Sequence, residues 1–254
     1  MGRRAFAVHR WLGALVGAQL FLWSLGGLMF GLHDLDWVRG TRGQRKPGEP
    51  EAVPWERVKV TPAEAAQRSG LARVDGISLR AWRQYVVYEV VAQPDTTRLV
   101  DAESGEPRSP IDRATAEQIA VDDRTQPTRV RAAALVESDP PTEFRELGLP
   151  AWRVDLDDAD NTHVWVDAQT GRVTARRNDA WRRFDFFWML HTMDYKGRDD
   201  FNHPLLVAFA ALGVLAVSSG GVLWALRLVR RWRKRCAAPA TGPATADRPS
   251  GLES

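Results

Sequence analysis

The sequence predicts a membrane protein in which two transmembrane α-helices flank a soluble α+β domain. Two uncharged apolar runs, residues 11–32 and 204–226, lie towards the two ends of the chain. Each run is about 22 residues long, and roughly 20 helical residues span the hydrocarbon core of a bilayer. Residues 34–200, between the runs, carry the signals of helices, strands and turns. Uncharged runs of this length are rare inside soluble proteins, so a pair of buried core helices is the weaker interpretation.

The distribution of charge predicts the orientation of the two helices. Residues 34–200 hold 25 Lys/Arg and 30 Asp/Glu and are net negative. Basic residues are concentrated in the short flanks, residues 1–10 and 229–254, and at the end of the second run. Those next to the two runs are Arg3, Arg4, Arg10, Arg227, Arg230, Arg231, Arg233, Lys234 and Arg235. By the positive-inside rule, both ends of the chain are expected in the cytoplasm and the middle domain on the far side.

Composition also restricts the partners of the chain. The pI of about 9.3 follows from the basic flanks, and they carry no recognition motif, so no nucleic-acid partner is expected. The lipid bilayer is the expected partner, and the basic cluster after the second run suits anionic headgroups.

The first run ends without a small-x-small cleavage site, which favours an uncleaved anchor over a signal peptide. The single cysteine, Cys236, falls on the cytoplasmic side, so the middle domain is expected to fold without disulfides.

Local signals order the middle of the chain. Residues 33–60 are rich in glycine, proline and charge and are predicted to form a linker. Thr61, Pro62 and Glu64 form the signature of a capped helix. Further predicted elements are strands at 85–91, 97–101, 130–136, 152–156 and 163–166, a hairpin turn at 93–96, a helix at 112–121 capped by Asp112, and a turn through Asp157, Asp158, Asp160 and Asn161. That acidic turn lacks the ligand spacing of a calcium loop, so we expect it to be solvated.

A short repeat divides the middle domain. The segment from Val100 to Gly105 recurs as Val166 to Gly171, 66 residues later. In each copy an aspartate can accept hydrogen bonds from backbone N–H groups two and three residues on, and the glycine supplies the positive φ of a tight turn. Each copy follows a hairpin downstream of a candidate helix. The sequence therefore predicts two tandem α+β units, residues 61–111 and 112–180, that share one core.

An amphipathic segment, residues 181–203, precedes the second membrane helix, which is expected over 204–228. Phe184, Phe187, Trp188 and His191 share one face of a helix over 181–193. Aromatic anchors this close to the bilayer predict a helix that lies along the interface. The residues after 228 are expected to be basic and then disordered.

Three sets of residues resemble one known family. They are His9-Arg10-Trp11-Leu12-Gly13, the Val-Asp-Ala-x-Ser/Thr-Gly repeat, and Trp188-Met189-Leu190-His191-Thr192-Met193-Asp194-Tyr195 with Phe201-Asn202-His203-Pro204-Leu205-Leu206. From residue 9 to about 230 the chain resembles the PepSY-associated transmembrane proteins of bacterial inner membranes. The resemblance implies that the tandem units are PepSY-like and lie in the periplasm. It also implies a relation to ferric-siderophore reductases, larger proteins with about four membrane helices that hold b-type haem through histidines.

The histidines are the candidate haem ligands. Four of the five lie at predicted membrane edges, and His163, in a strand, is predicted to be structural. His9 and His33 are 24 residues apart, roughly 36 Å along a helix, so they cannot share one iron. His33, His191 and His203 fall on the outer side, where two imidazoles could hold one haem b. His9 would need a histidine from a homodimer or another subunit, and no metal other than haem iron is expected.

Small residues form a stripe on the first helix, on the face of His9. They are Gly13, Gly17, Ser24, Gly27 and Gly31. Such a stripe lets another helix approach closely, which predicts a homodimer or a membrane partner subunit. Alternatively, it leaves room for a flat macrocycle.

Two functions remain open from the sequence. One is a haem-binding electron-transfer component of ferric-siderophore or other iron uptake. The other is a non-catalytic, membrane-tethered periplasmic module that binds or restrains a protease or envelope protein, because PepSY domains resemble inhibitory pro-segments. No catalytic triad, phosphate loop or His-Glu-x-x-His motif occurs, so no catalytic residue is assigned and the sequence leaves open whether the protein is an enzyme.

Overall fold

The computed structural model describes residues 3–46, 52–92, 96–145 and 147–236. The helices are α1 (Arg3–Leu32), α2 (Leu35–Val38), α3 (Pro62–Arg68), α4 (Arg113–Asp122), α5 (Asp179–Thr192) and α6 (Pro204–Cys236). The strands are β1 (Gly76–Trp82), β2 (Tyr85–Ala92), β3 (Thr96–Asp101), β4 (Val130–Val136), β5 (Ala151–Leu156), β6 (His163–Asp167) and β7 (Val173–Arg177). The chain forms two compact units: Met1–Trp23 with Asp200–Ser254, and Ser24–Asp199.

Among the described residues, two helices are long and apolar enough to cross a membrane, over Gly13–Leu32 and Pro204–Arg233. Most apolar side chains of α6 are exposed, and Val214 and Val217 are each about two-thirds exposed. An apolar helix surface left uncovered in this way is stable in lipid and costly in water. α6 has 33 residues and continues past its predicted end at residue 228, because the arginines that follow are good helix formers.

The Ser24–Asp199 unit contains two antiparallel sheets, each preceded by a helix. The first sheet has the order β1-β2-β3 and follows α3, and the second has the order β4-β5-β6-β7 and follows α4. Thr61 and Glu64 form the predicted capping box of α3, and Asp112 caps α4 by accepting from Thr115 N–H. The hairpin between β2 and β3 is confirmed by its pairing, while residues 93–95 of the predicted turn lie outside the described residues. β1 and β7 extend the two predicted hairpins and were not predicted.

The two sheets share a hydrophobic core, as predicted. Trp82, Val87 and Leu99 of the first sheet pack with Ala116 of α4 and with Val154 of the second sheet in one buried cluster. A second cluster lies between α3 and the first sheet. A third covers the other face of the second sheet, where the rings of Phe144 and Trp165 stack with centroids 4.0 Å apart.

The repeated turn is confirmed in both copies. Asp101 accepts from Glu103 and Ser104 N–H, and Asp167 accepts from Gln169 and Thr170 N–H. The last residues of the two turns, Gly105 and Gly171, have φ values of +79° and +66°, which a side chain at that position would strain.

The segments that follow the two turns differ. Pro107 forms a single bridge to Val100, whereas Val173, at the equivalent position, begins β7. Proline has no N–H to donate to a ladder, so the first copy ends as a bridge where the second forms a strand.

Candidate functional site

The aromatic face of α5 packs against the C-terminal end of α1. The ring centroids of Phe30 and Phe184 are 4.6 Å apart. Earlier in α1, a Cβ atom placed on Gly26 would lie 3.7 Å from both His191 Nδ1 and the Phe187 carbonyl oxygen. Later residues of α5 thus meet earlier residues of α1, so the two helices run antiparallel. The face predicted to rest on the bilayer interface is a helix–helix contact.

A second set of contacts connects α5 to the short helix α2. Asn178 Nδ2 donates to the Trp37 carbonyl oxygen at 2.8 Å, and the Arg183 guanidinium lies 5.4 Å from the Trp37 ring centroid. Asn178 also caps α5 by accepting from Trp181 N–H at 2.8 Å. The helix α5 therefore connects the second sheet to the C-terminal end of α1.

Among the candidate haem ligands, His33 has surroundings that suit a metal ligand. Its Nδ1 lies 2.7 Å from the Met29 carbonyl oxygen. A carbonyl only accepts, so Nδ1 donates in this contact, which leaves Nε2 as the nitrogen that a metal would bind. The His33 ring stacks on Trp37, with an interplanar angle of 3°. These two contacts hold the imidazole in one orientation.

His191 does not fit the role of an axial haem ligand within one chain. Its ring packs edge-on against Phe30, with centroids 5.7 Å apart, and parallel to Trp188 at 6.5 Å. Its Nδ1 faces the backbone of α1 at Gly26. The imidazole fills a slot between two helices, and a macrocycle there would have to displace these rings.

The other two membrane-edge histidines lie elsewhere. His203 precedes α6, where its Nδ1 accepts from Leu206 N–H at 3.4 Å, which is a helix-capping contact. It belongs to a different compact unit from His33 and His191. His9 lies within α1, and its side chain lies outside the described residues. Within the described part of the chain, no group of three or more His, Cys, Asp or Glu residues could hold a metal ion.

A charged cleft lies between the second sheet and the first half of α5. At its centre His163 Nδ1 is 2.6 Å from Glu143 Oε1 and its Nε2 is 3.6 Å from Asp155 Oδ1. Arg182 of α5 contacts His163 and Glu143, with its Nη2 atom 3.0 Å from His163 Nδ1 and 3.4 Å from Glu143 Oε2. Arg153, on β5, is held by Asp155. The imidazole thus lies between two carboxylates and a guanidinium.

Burial and charge act in opposite directions on the Glu143 carboxyl. Burial alone would raise its pKa, but the hydrogen bond and charge of His163, with the charges of Arg182 and Arg153, hold the pKa below its usual value. Glu143 is therefore ionised at neutral pH and supplies a fixed negative charge at the base of the cleft. Burial also lowers the pKa of Arg177, which lies behind Trp181 with its guanidinium 4.4 Å from that ring centroid.

The cleft is open to solvent on one side and has a volume of about 340 Å³, and α5 provides one wall. Its lining is Pro141, Thr142, Glu143, Arg153, His163, Trp181, Arg182, Asp185 and Arg198. Asp185 and Arg198 form an ion pair at the far end, and Arg145 bridges Asp185 and Asp199 at 2.9 and 2.6 Å. The cleft and the α1 contact therefore use two different faces of the same helix.

The chain matches the family model of the PepSY-associated TM region over residues 6–247. It belongs to the PepSY-associated transmembrane family. No curated protein and no solved structure matches the chain.

Membership of the PepSY-associated family, with two helices of spanning length, identifies a membrane protein. The glycine stripe of α1 is open: a Cβ atom on Gly13, Gly17, Gly27 or Gly31 would meet no described atom within 4 Å. Where α6 does approach α1, the contact uses a glycine of α6, and a Cβ atom on Gly213 would lie 3.4 Å from Leu20 Cδ2. A partner helix on the α1 stripe stays a prediction.

Sequence reasoning missed the cleft. His163 was expected to be structural, and nothing local connects it to Glu143 or Arg182, which are 20 and 19 residues away. The one usable signal in the sequence is the alternation of apolar and polar residues along β5 and β6. It places Arg153, Asp155 and His163 on the same face of two adjacent strands. That signal predicts a polar patch but not the helix that covers it.

Proposed function

We propose that this PepSY-associated protein is a membrane-anchored binding module, in which the outer domain holds a protein partner at the charged cleft. The observation that carries the proposal is the double role of α5. Trp181, Arg182 and Asp185 line the cleft, and Phe184 and His191 pack against α1. A partner that shifts α5 changes the packing at the outer end of a membrane helix, so the domain is suited to sense or restrain a partner.

Crosslinking tests the binding function. A photoreactive benzoylphenylalanine at Thr142, in the cleft lining, should yield a discrete adduct when cells that express the full chain are irradiated. The same residue at Arg113, which is 61% exposed on α4, serves as the control and should not yield that adduct. Identical adducts from the two positions, or none from Thr142, would refute binding at the cleft.

The proposed location is a bacterial inner membrane, with both termini in the cytoplasm and two tandem PepSY units in the periplasm. The basis for this orientation is the distribution of charge, with basic flanks on either side of an acidic middle domain. Alkaline phosphatase, which is active only outside the cytoplasm, should be active when fused after Ser109 and inactive when fused after Cys236. The reverse pattern would invert the proposed topology.

A second candidate function is haem-linked electron transfer in iron uptake, and the fixed imidazole of His33 favours it. A b-type haem would supply one-electron chemistry, and His33 would hold its iron. Reduced protein from haem-replete cells should show a Soret band with sharp α and β bands. His33→Ala should remove the α and β bands and His163→Ala should leave them. Wild-type protein without any haem would exclude this function.

A further inference from the structure

The lining of the cleft is rich in guanidinium N–H donors, and each of its arginines is paired with at least one carboxylate. Three arginines, Arg153, Arg182 and Arg198, face two carboxylates, Glu143 and Asp185. They come from β5, from α5 and from the segment that follows α5. Arginine guanidinium groups that converge from three separate elements form a site for an oxyanion, since each presents a planar set of N–H donors.

Both carboxylates of the lining are already engaged within the protein. The two oxygens of Glu143 contact His163 and Arg182, and those of Asp185 contact Arg145 and Arg198. Together with Asp155 and Asp179, which pair with Arg153 and Arg182, they offset the arginine charge, and they would repel a dianion brought into the cavity more than a single negative charge. A singly charged carboxylate therefore fits this lining better than a phosphate dianion.

Some of the arginine donors remain for a ligand. Arg153 uses Nε and Nη2 on Asp155, at 2.9 and 3.2 Å, which leaves Nη1 without a partner among the described contacts. The Nε atom of Arg198 is buried and has no hydrogen-bond acceptor within the described part of the chain. A buried N–H group without an acceptor is costly, and an oxygen supplied by a ligand would relieve that cost.

We infer that the cleft binds a carboxylate side chain from an acidic segment of a protein partner. The inference rests on the proposed binding function and names the chemistry of the partner. A cavity of about 340 Å³ holds on the order of ten water molecules, which is room for one or two aspartate or glutamate side chains. Trp181 provides an apolar wall for the methylene groups that carry the carboxylate.

The test measures binding of a fluorescent hexaglutamate peptide to the full chain in detergent, by anisotropy. Hexaglutamate should bind and hexaglutamine should not. Arg153→Gln should weaken the binding at least tenfold, and the double variant with Arg198→Gln more. The matched control is Arg73→Gln, which removes the same charge from a side chain 82% exposed elsewhere on the domain. It should leave the affinity unchanged. Since Arg198→Gln breaks an ion pair, its melting temperature is measured alongside, and Arg153→Gln alone carries the conclusion if the double variant unfolds.

The other outcomes overturn the inference in distinguishable ways. Equal loss of binding in the Arg153 and Arg73 variants would show a nonspecific charge effect. Binding of phosphatidylglycerol vesicles that depends on Arg153, without binding of the peptide, would make the cleft a lipid site. If hexaglutamate fails to bind while the Thr142 crosslink persists, the carboxylate chemistry is wrong and the binding module stands. If both fail, the proposed function fails as well.

Discussion

Replacing Asp185 with alanine is expected to lower the free energy of unfolding of the Ser24–Asp199 unit by about 3–5 kcal/mol. The Asp185 side chain is only 4% exposed, and it accepts from both Arg145 and Arg198. Its loss leaves the partly buried Arg198 without a counter-charge. A buried charge that has lost its partner destabilises the folded state strongly. Arg145 keeps Asp199, which places the expected effect towards the lower end. Thermal unfolding of the full chain in detergent, followed by tryptophan fluorescence, measures the change.

A matched control is available on the same helix. Asp179 lies in the first turn of α5 and pairs with Arg182, but its side chain is 41% exposed. Asp179→Ala makes the same chemical change and should cost no more than about 1 kcal/mol, because solvent screens an exposed pair. If the two variants unfold alike, Asp185 does not fix α5 to the segment that follows it.

The elements predicted well from the sequence are those encoded by a few adjacent residues. The capping box at Thr61 and Glu64 fixes where α3 begins. The Asp101 and Asp167 turns form through bonds that span two or three residues. Such contacts depend little on the rest of the fold, so their sequence signatures are sufficient to predict them.

The features that were missed depend on distant partners. Phe184 and His191 form an aromatic face that could pack equally well on lipid or on a helix, and periodicity alone does not distinguish the two. The observed contact with Phe30 shows that this face packs on a helix. The cleft likewise brings Glu143 to His163 and Arg182 from separate elements. β7 was missed because Ala175, Arg176 and Arg177, three of its five residues, are not among the residue types enriched in strands.

Asp101 and Asp167 occupy equivalent turns, but alanine at the first should be the more damaging. Asp167 accepts from two backbone N–H groups and the Thr170 hydroxyl, and Asp167→Ala should cost about 1 kcal/mol. Asp101 also holds both Nε and Nη2 of Arg108, at 3.1 and 2.7 Å. The Arg108 guanidinium rests on the Tyr85 ring, 3.9 Å from its centroid. Loss of this charge-assisted fork should raise the cost of Asp101→Ala to about 3 kcal/mol. Equal costs would show that Arg108 adds nothing to the turn.

The same site predicts how acid affects stability. Burial of the Asp101 carboxyl would raise its pKa, but the hydrogen bonds from Arg108, Ser104 and Glu103 outweigh burial, so the pKa lies below its usual value. A carboxyl with a depressed pKa in the folded state contributes stability that is fully present above the unfolded pKa, about 3.9. That contribution is lost as the pH falls through the folded pKa. Asp101→Asn cannot titrate, so its unfolding free energy should lie below that of the wild type at pH 7, and the difference should shrink as the pH falls below about 4. A difference that stays constant down to pH 2 would mean that the Asp101 charge is not what Arg108 recognises.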